Sequence, residues 1–192
     1  MSKDCRIEGF AIVSADGMIA DCNGHMPDAL HNEADKKWFG RELDHVDVVV
    51  HGRNSHEDQP NSRRRRRLIV TRGIAAIAPN PDLARSMLWN PAGASFFDAC
   101  AALGLTRGVA AIIGGPEVYS LFLEIGYDSF HLSRSRLVKL PGGLPVFTQG
   151  RQGLSPEETM RRFGLESGAE HTLDRANGVS VTSWHRRAPP RP

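Results

Sequence analysis

Apolar positions in this chain come in short, nearly unbroken blocks. Ile7–Val13 (IEGFAIV), Val46–His51 closed by Gly52 (VDVVVHG), Leu68–Thr71 (LIVT) and Ala110–Ile113 (AAII) lack the every-other-residue polarity of a half-solvated strand. Strands covered on both faces have that continuous character, so these four read as central strands. Between them lie amphipathic runs with helix signals. Asn32–Leu43 (NEADKKWFGREL) starts on Asn32 as N-cap, and Ser95-Phe96-Phe97-Asp98 has the spacing of a capping box for a helix through Leu103. Pro116 opens a third helix through Leu123, and Ser155-Pro156-Glu157-Glu158 starts a short fourth. Ser129–Ser133 reads as a further strand, Pro141–Gly143 as a turn, and Thr172–Leu173 with Val179–Trp184 as a hairpin about Asn177-Gly178. Arg53–Glu57 reads as the start of one more short helix. Gly73–Pro91, broken by Pro79, Pro81 and Pro91, carries no assignable element.

Strands alternating with helices imply an α/β, three-layer fold: a mainly parallel central sheet, helices on both faces and a C-terminal antiparallel hairpin. Neither a repeat nor a linker interrupts the chain, so residues 1–185 are expected to form one domain and 186–192 a mobile tail. In such sheets ligands sit beyond the carboxyl ends of the strands. Four features fall there together: the turn-rich loop Asp21–Leu30, Gly52-Arg53, Thr71-Arg72 and Gly114-Gly115. The loop is a candidate lid. Gly114-Gly115 before the Pro116 helix is a candidate phosphate cradle, because glycines admit close approach and a helix N-terminus offers free N–H groups and a positive dipole end.

Composition narrows the function. The chain has 192 residues and a formal charge of +2, too small to indicate a nucleic-acid partner. Its densest basic run, Arg63–Arg67, lacks interleaved aromatics and reads as a solvated loop. No apolar run reaches the ~18–20 residues of a membrane span. The N-terminal MSKDCRIEGF has no apolar signal core, and Cys5, Cys22 and Cys100 are few and scattered. Both features point to a cytoplasmic protein without a disulfide framework. No His/Cys/Asp group has metal-ligand spacing, and no serine sits in a nucleophile-elbow context.

Asp35 and Phe39, four apart, share one helix face. A carboxylate beside an aromatic ring can hold a flat polar heterocycle, although a surface Asp beside a core Phe has the same spacing.

In order along the chain, AIVSADGMIAD, Met26-Pro27, the Asp35/Phe39 pair, VVVHGRNSHE, LIVTR, IIGGPEVY and HLSR resemble the dihydrofolate reductase fold family. The resemblance runs over about residues 6–148. It implies NADPH as cofactor. Gly114, Gly115 and Pro116, with Glu117, Val118 and Tyr119, would receive the pyrophosphate, and Gly52, Arg53, Asn54 and Ser55 would contact phosphates. Thr71 and Arg72 would hold the adenosine end, with Arg53 and Arg72 supplying charge at the 2′-phosphate. Ala11, Ile12 and Ile19 would line the nicotinamide and substrate rings. Met26, Phe39 and Ser133 would contact a small heterocyclic substrate, with Asp35 as the catalytic acid. A homodimer is compatible with the resemblance. Four departures bear on substrate: Asp28 follows Met26-Pro27 where the family commonly has Trp, Asp28–His31 separate the lid from the helix unusually, His51 precedes Gly52, and no arginine matches the one that binds the folate glutamate. A second branch, the reductase of riboflavin biosynthesis, resembles Ser14–Ile19 (SADGMI), Val46-Asp47, HEDQP and the Gly-Gly-Pro step, but lacks a helix acid like Asp35. A noncatalytic ligand-binding module on the same fold is the third alternative.

Overall fold

A computed structural model describes residues 5–55, 59 and 61–187. Its strands are β1 (Cys5–Val13), β2 (Met18–Ala20), β3 (Val48–Gly52), β4 (Arg66–Val70), β5 (Ile77–Pro79), β6 (Ser86–Trp89), β7 (Gly108–Ile112), β8 (Ser129–Ser135), β9 (Leu144–Pro145), β10 (Leu165–Asp174) and β11 (Val179–Arg186). The helices are α1 (Glu33–Leu43), α2 (Phe96–Ala102), α3 (Pro116–Ile125) and α4 (Pro156–Arg162). The main sheet runs β10-β11-β8-β1-β7-β3-β4-β6-β5, while β2 and β9 form a separate pair. From β8 to β6 every neighbouring pair is parallel; β11, β10 and β5 add antiparallel edges.

The alternation of strand side chains divides the core. Phe10, Val49 and Ala111 face α1, which covers them with Trp38, Phe39 and Leu43. Ile7, Val13, Val48, Val50, Ala110 and Ile112 face the other way, toward α2, α3 and α4. Helix α3 buries Val118, Tyr119, Phe122 and Leu123 there. Each such side chain contributes about 1.5–3 kcal/mol through burial. Capping follows sequence closely: Asn32 caps α1, and Ser95 and Ser155 form complete capping boxes on α2 and α4.

Several boundaries differ from sequence expectation, each for a physical reason. The stretch 73–91 contains β5 and β6, which are too short to show periodicity and are held by pairing with β4. Pro79 is tolerated because β5 is an edge strand. The hairpin is longer than Thr172–Leu173 and Val179–Trp184, since residues 166–172 of β10 are exposed and show no apolar alternation. Strand β3 begins at Val48, because the Asp47 carboxylate instead accepts from the Val109 N–H. Arg53 and Asn54 form a turn; His56 and Glu57, the rest of the expected short helix, lie outside the described residues. The expected tail does not start at 186: Arg186 belongs to β11 and its Nε donates to the Tyr127 carbonyl at 2.9 Å. Residues 188–192 are outside the described range. Among the described residues no helix is long and apolar enough to cross a membrane.

Candidate active site

The two glycine corners meet. The Gly52 N–H donates to the Gly114 carbonyl at 2.8 Å, and the Ile113 N–H to the Val50 carbonyl at 3.0 Å. A Cβ on Gly52 would lie 3.9 Å from both the Gly114 oxygen and the Gly115 nitrogen, and one on Gly115 3.7 Å from Ser55 Oγ. Gly52, Ser55, Gly115 and the first turn of α3 therefore form one continuous surface, with Gly114 buried within it. Glycine is required at 114, where φ is +108° and a Cβ would lie 2.9 Å from Tyr119 Cε2. A helix start leaves its first N–H groups without intrahelical partners; in α3 Pro116 has none to offer and the Val118 N–H donates to the Gly115 carbonyl at 2.9 Å, which leaves the Glu117 N–H as the donor of the first turn. Arg53, Asn54 and Arg72 are exposed near these strand ends. Thr71 is buried, its Oγ1 accepting from the Gly73 N–H at 3.1 Å. Glu117 is exposed and pairs with Arg151 at 3.2 Å.

Val118 and Tyr119 point inward. Val118 lies beneath Gly52, and Tyr119 is 4% exposed with its hydroxyl donating to the Phe10 carbonyl at 2.5 Å. Burial, helped by the nearby charge of Asp35, drives the Tyr119 pKa far up, so the phenol stays protonated. Its side chain braces α3 against β1.

On the other face of the sheet, Asn32 Oδ1 accepts from the Ala34 and Asp35 N–H groups at 3.0 and 3.1 Å, fixing the first turn of α1. The Asp35 carboxyl is sunk against the sheet, and loss of hydration raises its pKa above the ordinary 3.8. The nearby Ser133 hydroxyl offsets part of that rise. Even so, Ser133 Oγ, on a residue 1% exposed, makes no hydrogen bond of acceptable geometry. A buried hydroxyl without a partner beside a desolvated carboxyl is a polar pair open to a ligand. Ile12 lies opposite Ser133 in the β1–β8 register. Phe39 packs on Phe10 with centroids 5.8 Å apart.

The remaining sequence candidates scatter. Ala11 and Ile12 alternate across β1, so Ala11 packs with Ile19 against the main core while Ile12 shares the face of Ser133. Met26 is 41% exposed on the loop before α1. The run Arg63–Arg67 sits at the amino end of β4, roughly 16 Å of strand from Arg72. Arg64, Arg65, Arg66 and Arg85 line a cleft of about 490 Å³ there. Arg67 is buried against His51 and Ser62. Three of the five arginines thus line a cleft away from Arg72, Arg67 is in the sheet interior, and Arg63 is exposed.

Two polar networks were not legible from spacing. Ser14 Oγ donates to Asp16 Oδ1 at 2.5 Å, Asp16 accepts from the Leu140 N–H, and Arg134 donates to the Ser14 and Ala15 carbonyls while pairing with Glu157. This network fastens the turn after β1 to the chain following β8. The second joins Asn32 Nδ2 to Asp174 Oδ2 at 2.9 Å across 142 residues. In both cases the sequence shows ordinary turn and cap residues, and nothing local marks their distant partners. No group of three or more potential metal ligands occurs among the described residues.

A sheet of this order, with a glycine cradle on one side and a helix carboxyl on the other, has the dihydrofolate reductase-like fold. Solved structures share that fold. A protein from Shewanella sp. PV-4, provisionally named for riboflavin biosynthesis, is 22% identical with a TM-score of 0.66, covering 95% of this chain and 99% of that one. The diaminohydroxyphosphoribosylaminopyrimidine deaminase/5-amino-6-(5-phosphoribosylamino)uracil reductase of Thermotoga maritima is 14% identical with a TM-score of 0.69 over 96% of this chain; the match spans 57% of that longer protein. Dihydrofolate reductase from Enterococcus faecalis, complexed with NADP(H) and RAB-propyl, is 17% identical with a TM-score of 0.61, covering 95% and 97%. No protein-family model and no curated protein sequence matches the chain. The feature shared with these structures is the fold.

Proposed function

We propose that the protein is an NADPH-dependent reductase that transfers hydride to a pterin-like nitrogen heterocycle. The observation that carries this reading is the desolvated Asp35 carboxyl beside the unpartnered Ser133 hydroxyl, on the sheet whose strand ends form the Gly52/Gly114/Gly115 surface. The cradle fits an anionic cofactor: small residues admit close approach, the α3 N-terminus and Ser55 offer donors, and exposed Arg53 and Arg72 supply charge. NADPH, when bound, supplies the hydride. Gly114, Gly115 and the α3 N-terminus would hold its pyrophosphate, and Arg53 and Arg72 its 2′-phosphate. Asp35 would hydrogen-bond a ring nitrogen of the substrate and favour the protonated, electron-poor ring that accepts hydride. Ser133 would accept or donate one further bond to that ring, and Ile12 and Phe39 would line an apolar wall that limits water. The same reading takes the protein to be cytoplasmic, as its unpaired cysteines imply.

A second reading has its own support. The Ser14–Asp16–Gly17 turn is built into a network with Arg134 and Leu140, and the S-x-D-G pattern there resembles the riboflavin-pathway reductases. That activity reduces the ribosyl chain of a phosphoribosylaminopyrimidine and needs no helix acid.

NADPH oxidation with dihydrofolate, dihydrobiopterin and the riboflavin-pathway pyrimidine, for wild type and Asp35→Asn, separates these readings. The pterin reading expects at least ~100-fold slower hydride transfer in Asp35→Asn, shrinking at low pH where solvent protonates the substrate. Undiminished turnover of the pyrimidine by Asp35→Asn would transfer the assignment to the second reading. No oxidation with any of the three, alongside intact NADPH binding, would leave a binding module.

A further inference from the structure

We infer that Asp174 is a positioning residue for Asp35, acting through the Asn32 cap; the role in turnover rests on the function proposed above. Asn32 Oδ1 is committed to the Ala34 and Asp35 N–H groups, which turns its amide nitrogen outward. That nitrogen donates to Asp174 Oδ2 at 2.9 Å. The orientation of the amide is therefore settled by its own helix, and Asp174 meets the one side-chain donor the cap has left.

Asp174 is itself held in place. It ends β10, where the pairing with β11 shifts register between Thr172 and Asp174. Irregularities of that kind re-aim side chains at strand ends. Its carboxylate also accepts from the Asn177 N–H at 3.1 Å and Asn177 Nδ2 at 2.7 Å. Asn177 and Asn32 together hold its pKa below the ordinary value, so it stays ionised at neutral pH.

The partner strand closes the loop of contacts. Val181 of β11 lies opposite Ser133 of β8, and Ser133 faces Asp35. One hairpin thus sets Ser133 from the sheet side and the first turn of α1 from the solvent side. The rest of α1 is anchored elsewhere: Leu30 is buried before it, and Trp38, Phe39 and Leu43 pack on Phe10 and its neighbours from the second turn onward. Glu33, Lys36 and Lys37 around Asp35 are exposed. The Asp174 link is therefore a polar tie at the turn that carries the carboxyl.

The test uses the 192-residue chain with Asp174→Ala, Asp174→Asn and Asn32→Ser. Asparagine retains an oxygen acceptor for Asn32 Nδ2, and serine retains an N-cap oxygen while losing the outward donor. The Asp35 carboxyl titration and the exchange of its amide are followed by NMR without ligand, and kcat and KM are measured with NADPH and the best heterocycle. Asp174→Ala and Asn32→Ser should speed Asp35 amide exchange about 5-fold, the effect of one ordinary hydrogen bond. They should move the Asp35 titration down toward the ordinary aspartate value and lower kcat more than they raise KM. Asp174→Asn should restore wild-type behaviour in all three. Unchanged Asp35 titration and exchange in Asp174→Ala, or equal effects of Ala and Asn, would overturn the inference. The NMR readouts test positioning even if Asp35→Asn proves fully active, an outcome that removes the proposed reaction instead.

Discussion

Tyr119→Phe separates a structural role from a ligand contact at one residue of the cradle helix. The substitution removes a single oxygen and leaves the ring stacked at its edges on Phe130 and Phe147, 5.6 and 6.3 Å away between centroids. No side-chain-sized cavity opens, so the cost is that of the hydrogen bond to the Phe10 carbonyl at 2.5 Å. A neutral bond contributes about 0.5–1.5 kcal/mol net, and leaving a buried carbonyl underused adds to it. A total of about 1–2 kcal/mol lowers Tm by about 3–6 °C in a domain of this size. Thermal melts and urea titrations measure that loss directly. NADPH affinity, by calorimetry, should change less than about twofold, because Tyr119 has no free polar atom for a ligand. A Tm within about 1 °C of wild type would refute the bracing argument. A tenfold loss of NADPH affinity at unchanged stability would show that the side chain faces the cofactor after all.

Asp35→Asn should raise stability at pH 7 while lowering activity. The folded pKa of Asp35 lies above the unfolded value, so the folded protein binds more protons in the window between them and stability falls as pH rises through it. The full penalty is present above the folded pKa and disappears as pH falls toward 3.8; urea titrations at pH 7 and pH 4 that showed equal differences would contradict this. Gly9→Ala should cost about 3 kcal/mol or fail to fold, since its Cβ would lie 2.2 Å from Phe130 and 2.9 Å from Tyr127, both buried rings with no room to retreat. A wild-type Tm for that variant would mean the sheet can shift at β1. Arg53→Ala and Arg72→Ala should each weaken NADPH by roughly the 1.5–3 kcal/mol of a charged hydrogen bond and leave NADH nearly unchanged; equal losses for both nucleotides would remove these arginines from the 2′-phosphate.

What the sequence determined by itself was the part encoded locally. Continuous apolar blocks marked β1, β3, β4 and β7, because strands covered on both faces require them. Asn32, Ser95 and Ser155 marked helix starts through caps that act within three residues. The Gly-Gly-Pro step placed a tight corner before α3. Tertiary structure alone decided whatever depended on partners far along the chain. Strands β5 and β6 exist because β4 offers them a ladder, and β10 is polar because neither face of its middle is covered. Periodicity could not say that Ala11 and Tyr119 turn into the core, that Arg67 is buried against His51, or that the other arginines stand at the far end of β4. The spacing of Asp35 and Phe39 allowed a surface carboxylate as readily as a sunken one. Packing of α1 on the sheet, with Ser133 beneath and Asp174 holding its first turn, desolvated that carboxyl, since water is excluded only when separate elements close around a group.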